Sequence, residues 1–157
     1  MYRLLGDNHV LDGLPFSAQV FLRALDGVRN RLAFEAGVTG KELRALSRIA
    51  ESSGLDNTAM GDFLEVRPSS ANEVIERLVL RGLIVSTPAE REHSAVTMTL
   101  TPAGHELIAT TYKNFQRIMN DAAESLDADR LIAFESGLLK MARKLDAQAA
   151  PAISDRN

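Results

Sequence analysis

Only one stretch of this chain alternates with period two. From Ala95 to Leu100 the residues Val96, Met98 and Leu100 are apolar and Thr97 and Thr99 are polar. Together with Leu83–Thr87 and a polar tip from Pro88 to Ser94, this reads as one β-hairpin. Everywhere else the apolar residues recur at helical spacing. A mainly α protein carrying a single small hairpin is therefore expected, which removes sandwiches, barrels and doubly wound sheets from consideration.

The helices can be read in order. Phe16, Val20, Phe21, Ala24, Leu25, Val28 and Leu32 form one face of a first long helix, with Arg23, Asp26, Arg29 and Asn30 on the other side and Gly37 after its end. Thr39-Gly40-Lys41-Glu42 has the form of a capping box and opens a second helix, whose apolar face is Leu43, Leu46, Ile49 and Ala50. Ser52-Ser53-Gly54 stops it. Asp56 can cap a short third helix with Met60, Phe63 and Leu64 inward. Val66-Arg67-Pro68-Ser69 turns the chain into a fourth, in which Pro68 suits the first turn and Ala71, Val74, Ile75, Leu78 and Val79 face the core. Gly82 caps it before the hairpin. Thr101-Pro102 restarts helix as N-cap and first residue, with a long stripe of Leu107, Ile108, Thr111, Tyr112, Phe115, Ile118, Met119 and Ala122. A last helix from about Asp127 carries Leu131, Ile132, Phe134, Leu138, Leu139, Met141 and Leu145.

At 157 residues the chain is expected to be a single domain, with a winged helix-turn-helix lobe at 38–101 between long helices at 16–36 and 102–147. The absence of cysteine excludes thiol catalysis and any Cys-ligated metal site. No segment approaches a membrane span and no signal-peptide run opens the chain, so a cytoplasmic protein without a membrane partner is expected. His9, His93 and His105 stand in no metal-ligand spacing, and phosphate loops, dinucleotide glycines and nucleophile elbows are absent. The expectation is a protein that is not an enzyme, with neither a catalytic residue nor a metal nor a cofactor.

Two short helices, a tight turn, a further helix and a hairpin are the parts of a winged helix-turn-helix. A helix can fill the DNA major groove when a second braces it, and the hairpin beside it reaches backbone or minor groove. Away from its apolar stripe the Ser69–Arg81 helix carries Ser69, Ser70, Asn72, Glu73, Glu76, Arg77 and Arg81. Asn can pair with adenine, Glu can accept from cytosine N4, and Ser and Arg can bind phosphates. The candidate DNA-contacting residues are Arg67, Ser69, Ser70, Asn72, Glu73, Arg77, and in the wing Arg91 and His93.

The stretch from Leu43 to Leu107 resembles the MarR family of winged helix-turn-helix transcription regulators. The matching pieces are Met60-Gly61-Asp62-Phe63-Leu64, Ser69-Ser70, Glu76-Arg77-Leu78, Arg81-Gly82-Leu83-Ile84 and Leu100-Thr101-Pro102-Ala103-Gly104. The resemblance implies a homodimer in which the terminal helices interlock and two lobes read halves of a pseudo-palindromic operator in double-stranded DNA. It implies a ligand-released repressor, with a small aromatic or phenolic effector held between the dimer helices and the DNA-binding lobe. Arg23, Arg44, Arg48 and Tyr112 are candidates to line that crevice. The apolar excess of the last two helices supports a dimer independently.

Two departures from the family pattern stand out. Glu73 replaces the usual basic residue of the recognition helix, and the wing tip reads Arg91-Glu92-His93-Ser94 in place of an Asp-Arg-Arg-like sequence. Between Gly37 and Val85 the six bases Lys41, Arg44, Arg48, Arg67, Arg77 and Arg81 face seven acids, Glu42, Glu51, Asp56, Asp62, Glu65, Glu73 and Glu76. These features also suit an alternative, a winged-helix dimer that has lost DNA binding and serves as a protein-interaction module.

Overall fold

A computed structural model describes residues 13–52, 57–87 and 97–149. Its elements are α1 (Leu14–Glu35), α2 (Gly40–Glu51), α3 (Asn57–Leu64), α4 (Pro68–Leu80), β1 (Ile84–Thr87), β2 (Thr97–Leu100), α5 (Pro102–Ala123) and α6 (Ala128–Ala149). The chain divides into two compact units, Met1–Gln116 and Arg117–Asn157, with the boundary inside α5. The expected wing residues Arg91 and His93, the wing tip and the Asp56 cap lie outside the described residues.

In the first unit, α2, α3 and α4 pack on one another, and the hairpin closes the lobe through α4 against β1 and α2 against β2. The two strands are antiparallel, in the register Ile84 to Leu100 and Ser86 to Met98. Ile84 and Met98 therefore face the core while Val85 stays exposed. The core is Leu46, Met60, Leu64, Leu78, Ile84 and Met98, with Ala33, Ala45, Ala71, Val74 and Ile75 filling between them. Fully burying side chains of this size contributes roughly 1.5–3 kcal/mol each.

Local chemistry sets the element boundaries. The Thr39 capping box is complete: Glu42 N donates to Thr39 Oγ1 at 3.2 Å and Thr39 N donates to Glu42 Oε2 at 2.7 Å. Arg67 is the N-cap of α4, with Pro68 at its first position. Gly82, at φ +67°, takes the left-handed turn that ends the helix, and Leu83 N then donates to Leu78 O at 3.0 Å. Thr101 caps α5 by accepting from Gly104 N at 3.1 Å, and its hydroxyl also donates to Gly82 O at 2.7 Å. This places Gly104 so close to the carbonyl of Leu83 that a side chain there would collide with it. Asp127 caps α6, accepting from Arg130 N at 2.9 Å.

Three expected core positions lie elsewhere. Val79 is exposed, because it follows Leu78 by 100° of helix turn and so leaves the stripe of Ala71, Val74, Ile75 and Leu78. Ala50 is also exposed; Ala45 fills the α2 stripe in its place. Phe63 sits at the rim of the lobe, because the guanidinium groups of Arg44 and Arg48 lie over its ring at 5.3 and 5.6 Å.

The long helices differ from the lobe. On α1, Leu14, Phe16, Val20 and Leu22 are exposed, and on α6 so are Leu131, Ile132, Phe134, Leu138, Leu139, Met141 and Leu145. Helix α6 has no buried residue among those described. No described helix is long and apolar enough to cross a membrane.

Candidate nucleic-acid interface

Helix α4 turns one face inward through Ala71, Val74, Ile75 and Leu78. At 100° per residue, Ser69, Glu73, Glu76 and Leu80 fall on the opposite side, and all four are exposed. Asn72 and Ser70 flank that line and are half-buried. Asn72 Nδ2 donates to Glu76 Oε1 at 2.6 Å, which ties the two side chains together across one turn. Glu73 has neither a hydrogen bond nor an ion pair among the described residues. Arg67 projects from the turn just ahead of the helix and is exposed.

Arg77 has a partner inside the lobe that its helix position does not reveal. Its Nε donates to Glu42 Oε1 at 3.1 Å, and Arg81 Nη1 reaches Glu42 Oε2 at 3.4 Å. The Arg81 Nη2 atom also donates to Gly37 O at 2.7 Å. Glu42 is thus the buried hub joining the start of α2, the corner after α1 and the rear flank of α4. Burial by itself raises its carboxyl pKa. Hydrogen bonds from the Thr39 backbone, Arg77 and the Thr39 hydroxyl, with the nearby charge of Arg81, outweigh burial and hold it below the ordinary value of 4.5. Sequence reasoning recognised Glu42 as a cap and missed this second role. The signal was present: Glu42, Ala45, Leu46 and Ile49 share the i, i+3, i+4, i+7 stripe that points inward.

The four crevice candidates lie on three helices, α1 (Arg23), α2 (Arg44 and Arg48) and α5 (Tyr112). Arg44 donates from Nη2 to Phe63 O at 2.7 Å, and Arg48 lies over the Phe63 ring at 5.6 Å while pairing within α2 with Glu51 at 3.7 Å, so both reach α3. Arg23 is exposed on α1, and Tyr112 is exposed on α5. An open groove of about 210 Å³ lies between α1 and the first half of α5. It is lined by Leu32, Glu35, Ala36, Leu107, Thr110, Thr111 and Asn114, among which Glu35 alone is charged. Among the described residues there is no cluster of three or more His, Cys, Asp or Glu side chains able to hold a metal ion.

No family model matches the sequence, and no curated protein matches it in sequence. The structure does have counterparts. A MarR family transcription regulator superposes with a TM-score of 0.74 at 22% identity, over 92% of this chain and 97% of the other. A MarR family protein from Bacillus stearothermophilus gives 0.80 at 18% identity, covering 90% and 99%. One from Mycobacterium tuberculosis, solved in complex with salicylic acid, gives 0.66 at 20% identity, covering 82% and 95%. The braced helix α4, a two-stranded hairpin and long flanking helices, matched over most of both chains, give this protein the winged-helix fold of the MarR family transcription regulators.

Proposed function

We propose that this protein is a homodimeric, DNA-binding transcription regulator of the MarR type, acting as a repressor that a small aromatic effector releases. The observation that carries this reading is the pairing of an outward-facing, braced α4 with apolar side chains on α1 and α6 that are exposed among the described residues. A second copy of the chain would bury those faces, as an isologous interface requires. Dimerisation would then set two α4 helices about 34–36 Å apart, one helical turn of DNA, for successive major grooves.

In this arrangement Ser69, Ser70, Asn72 and Glu73 meet the groove, Arg67 meets the backbone, and Arg91 and His93 belong to the wing. Arg77 acts through Glu42, holding α4 at its angle. The groove between α1 and α5 is the place for an effector within one chain. Its threonines, Asn114 and apolar walls suit a phenol or other neutral aromatic, because Glu35 would oppose a carboxylate there.

The test is binding to duplex DNA from the region flanking its own gene, titrated with salt. A specific complex whose affinity falls as salt is raised, in a species that sediments as a dimer, is the expected result. The absence of specific retardation even at low salt refutes the reading and favours the protein-interaction alternative. Thermal shift against neutral phenols and benzoates tests the effector, and silence across both panels removes ligand release.

A further inference from the structure

We propose that Glu73 is a specificity-determining residue that reads the exocyclic amine of a cytosine in each half-site. The inference rests on the DNA-reading function above and adds to it a base identity. Glu73 lies directly opposite the core stripe of α4, exposed and without a hydrogen bond or ion pair among the described residues. The nearby carboxylate on the same face, Glu76, is engaged by Asn72. The cation that could have neutralised Glu73 from the next turn, Arg77, is turned away onto buried Glu42. The outermost line of the helix, Ser69, Glu73, Glu76 and Leu80, therefore contains no positive charge and offers mainly acceptors.

The major groove restricts what such a carboxylate can meet. Guanine presents N7 and O6 there and thymine O4, all acceptors that repel it. Donors are confined to cytosine N4 and adenine N6. Adenine flanks its amine with its own N7 acceptor as well as the O4 of the paired thymine. Cytosine has an acceptor on one side only, the O6 of the paired guanine, and an unprotesting C–H edge on the other. A lone glutamate is thus best satisfied by cytosine, and it penalises guanine on the same strand. Position 73 also lies in the first half of α4, the part of a recognition helix that reaches base edges.

The experiment is selection of binding sites from a random duplex pool by the full-length protein and by its Glu73→Gln and Glu73→Ala variants, followed by affinity measurements. Wild type is expected to enrich a two-fold-related site with a fixed C·G pair in each half. Changing that pair to T·A should weaken wild-type binding about 10-fold, and Glu73→Ala binding less than about 2-fold. Removing the charge should also tighten binding to non-specific DNA, since one repulsion with phosphate is lost, whereas a residue with only a structural role would change neither ratio. If both variants enrich the same site with the same preferences as wild type, the assignment to Glu73 is wrong and the DNA-reading function stands. If wild type enriches no site at low salt, the function falls and the assignment falls with it, leaving the acidic face to a protein partner.

Discussion

Replacing Glu42 by alanine disturbs three elements through one side chain. The carboxylate, 4% exposed, accepts Thr39 N at 2.7 Å, Arg77 Nε at 3.1 Å and Arg81 Nη1 at 3.4 Å. Losing the reciprocal half of the capping box costs about 1 kcal/mol. The guanidinium bonds are charge-assisted, a class worth about 1.5–3 kcal/mol each, but the arginine side chains are 49% and 39% exposed, so water recovers much of that value. The combined loss is therefore set at about 2–4 kcal/mol for Glu42→Ala, and at about 1–2 kcal/mol for Glu42→Gln, which keeps an acceptor for Thr39. Urea unfolding should show a lower midpoint with an unchanged slope. The pH dependence has a definite sign. The folded carboxyl titrates below 4.5, so its contribution is complete above the unfolded value and disappears as pH falls through the folded one. The stability gap between wild type and Glu42→Gln should consequently narrow in acid. A Glu42→Ala protein within about 0.5 kcal/mol of wild type at neutral pH, the range of an ordinary surface change, or a gap that widens in acid, refutes the hub.

Two backbone predictions accompany it. Glu65, in the turn between α3 and α4, has φ +58°, a left-handed conformation that a side chain disfavours by about 1–2 kcal/mol. Allowing for glycine's greater freedom in the unfolded chain, Glu65→Gly should stabilise by about 0.5–1 kcal/mol and raise the melting temperature; a lowered one would contradict the strain argument. Gly104→Ala should destabilise by at least about 1–3 kcal/mol, the usual cost of overpacking, because the added Cβ meets the backbone carbonyl of Leu83 rather than a side chain that can turn away. Calorimetry showing no change would mean that α5 can shift from β1 without loss.

The parts of the fold visible in the sequence are those fixed by local chemistry. Thr39 with Glu42, Pro68 after Arg67, Gly82 and Thr101-Pro102 each mark a boundary that the structure keeps. Period alone placed Met98 inward and Thr99 outward. The candidate site was less visible because its side chains choose among partners distant in sequence. Arg77 and Glu42 are 35 residues apart, and Arg44 and Phe63 are 19 apart. A helix face predicts that an arginine is accessible, but not that a buried carboxylate lies within its reach. Val79 illustrates the same limit with an apolar residue: being one position beyond a true core residue leaves helical spacing ambiguous, and packing decides.

The balance of charge takes on a different meaning once those partners are placed. Six bases against seven acids describes a lobe with no net attraction for phosphate. Yet four of the six have work inside the protein: Arg77 and Arg81 on Glu42, and Arg44 and Arg48 on Phe63. Lys41 and Arg67 have no ion pair among the described residues. Arg67 stands at the N-cap of α4, where unpaired backbone N–H groups and the positive end of the helix dipole already favour an anion. A phosphate drawn there would place the helix N-terminus, with Ser69 and Glu73 in its first turns, toward the base edges. Attraction concentrated at that point orients the helix, whereas a general basic coat would hold DNA in any register. Few counterions would be released on binding, so affinity would depend unusually strongly on base contacts. On the proposed reading, Glu73 would be tolerated at the groove because binding would rely on discrimination rather than on total charge.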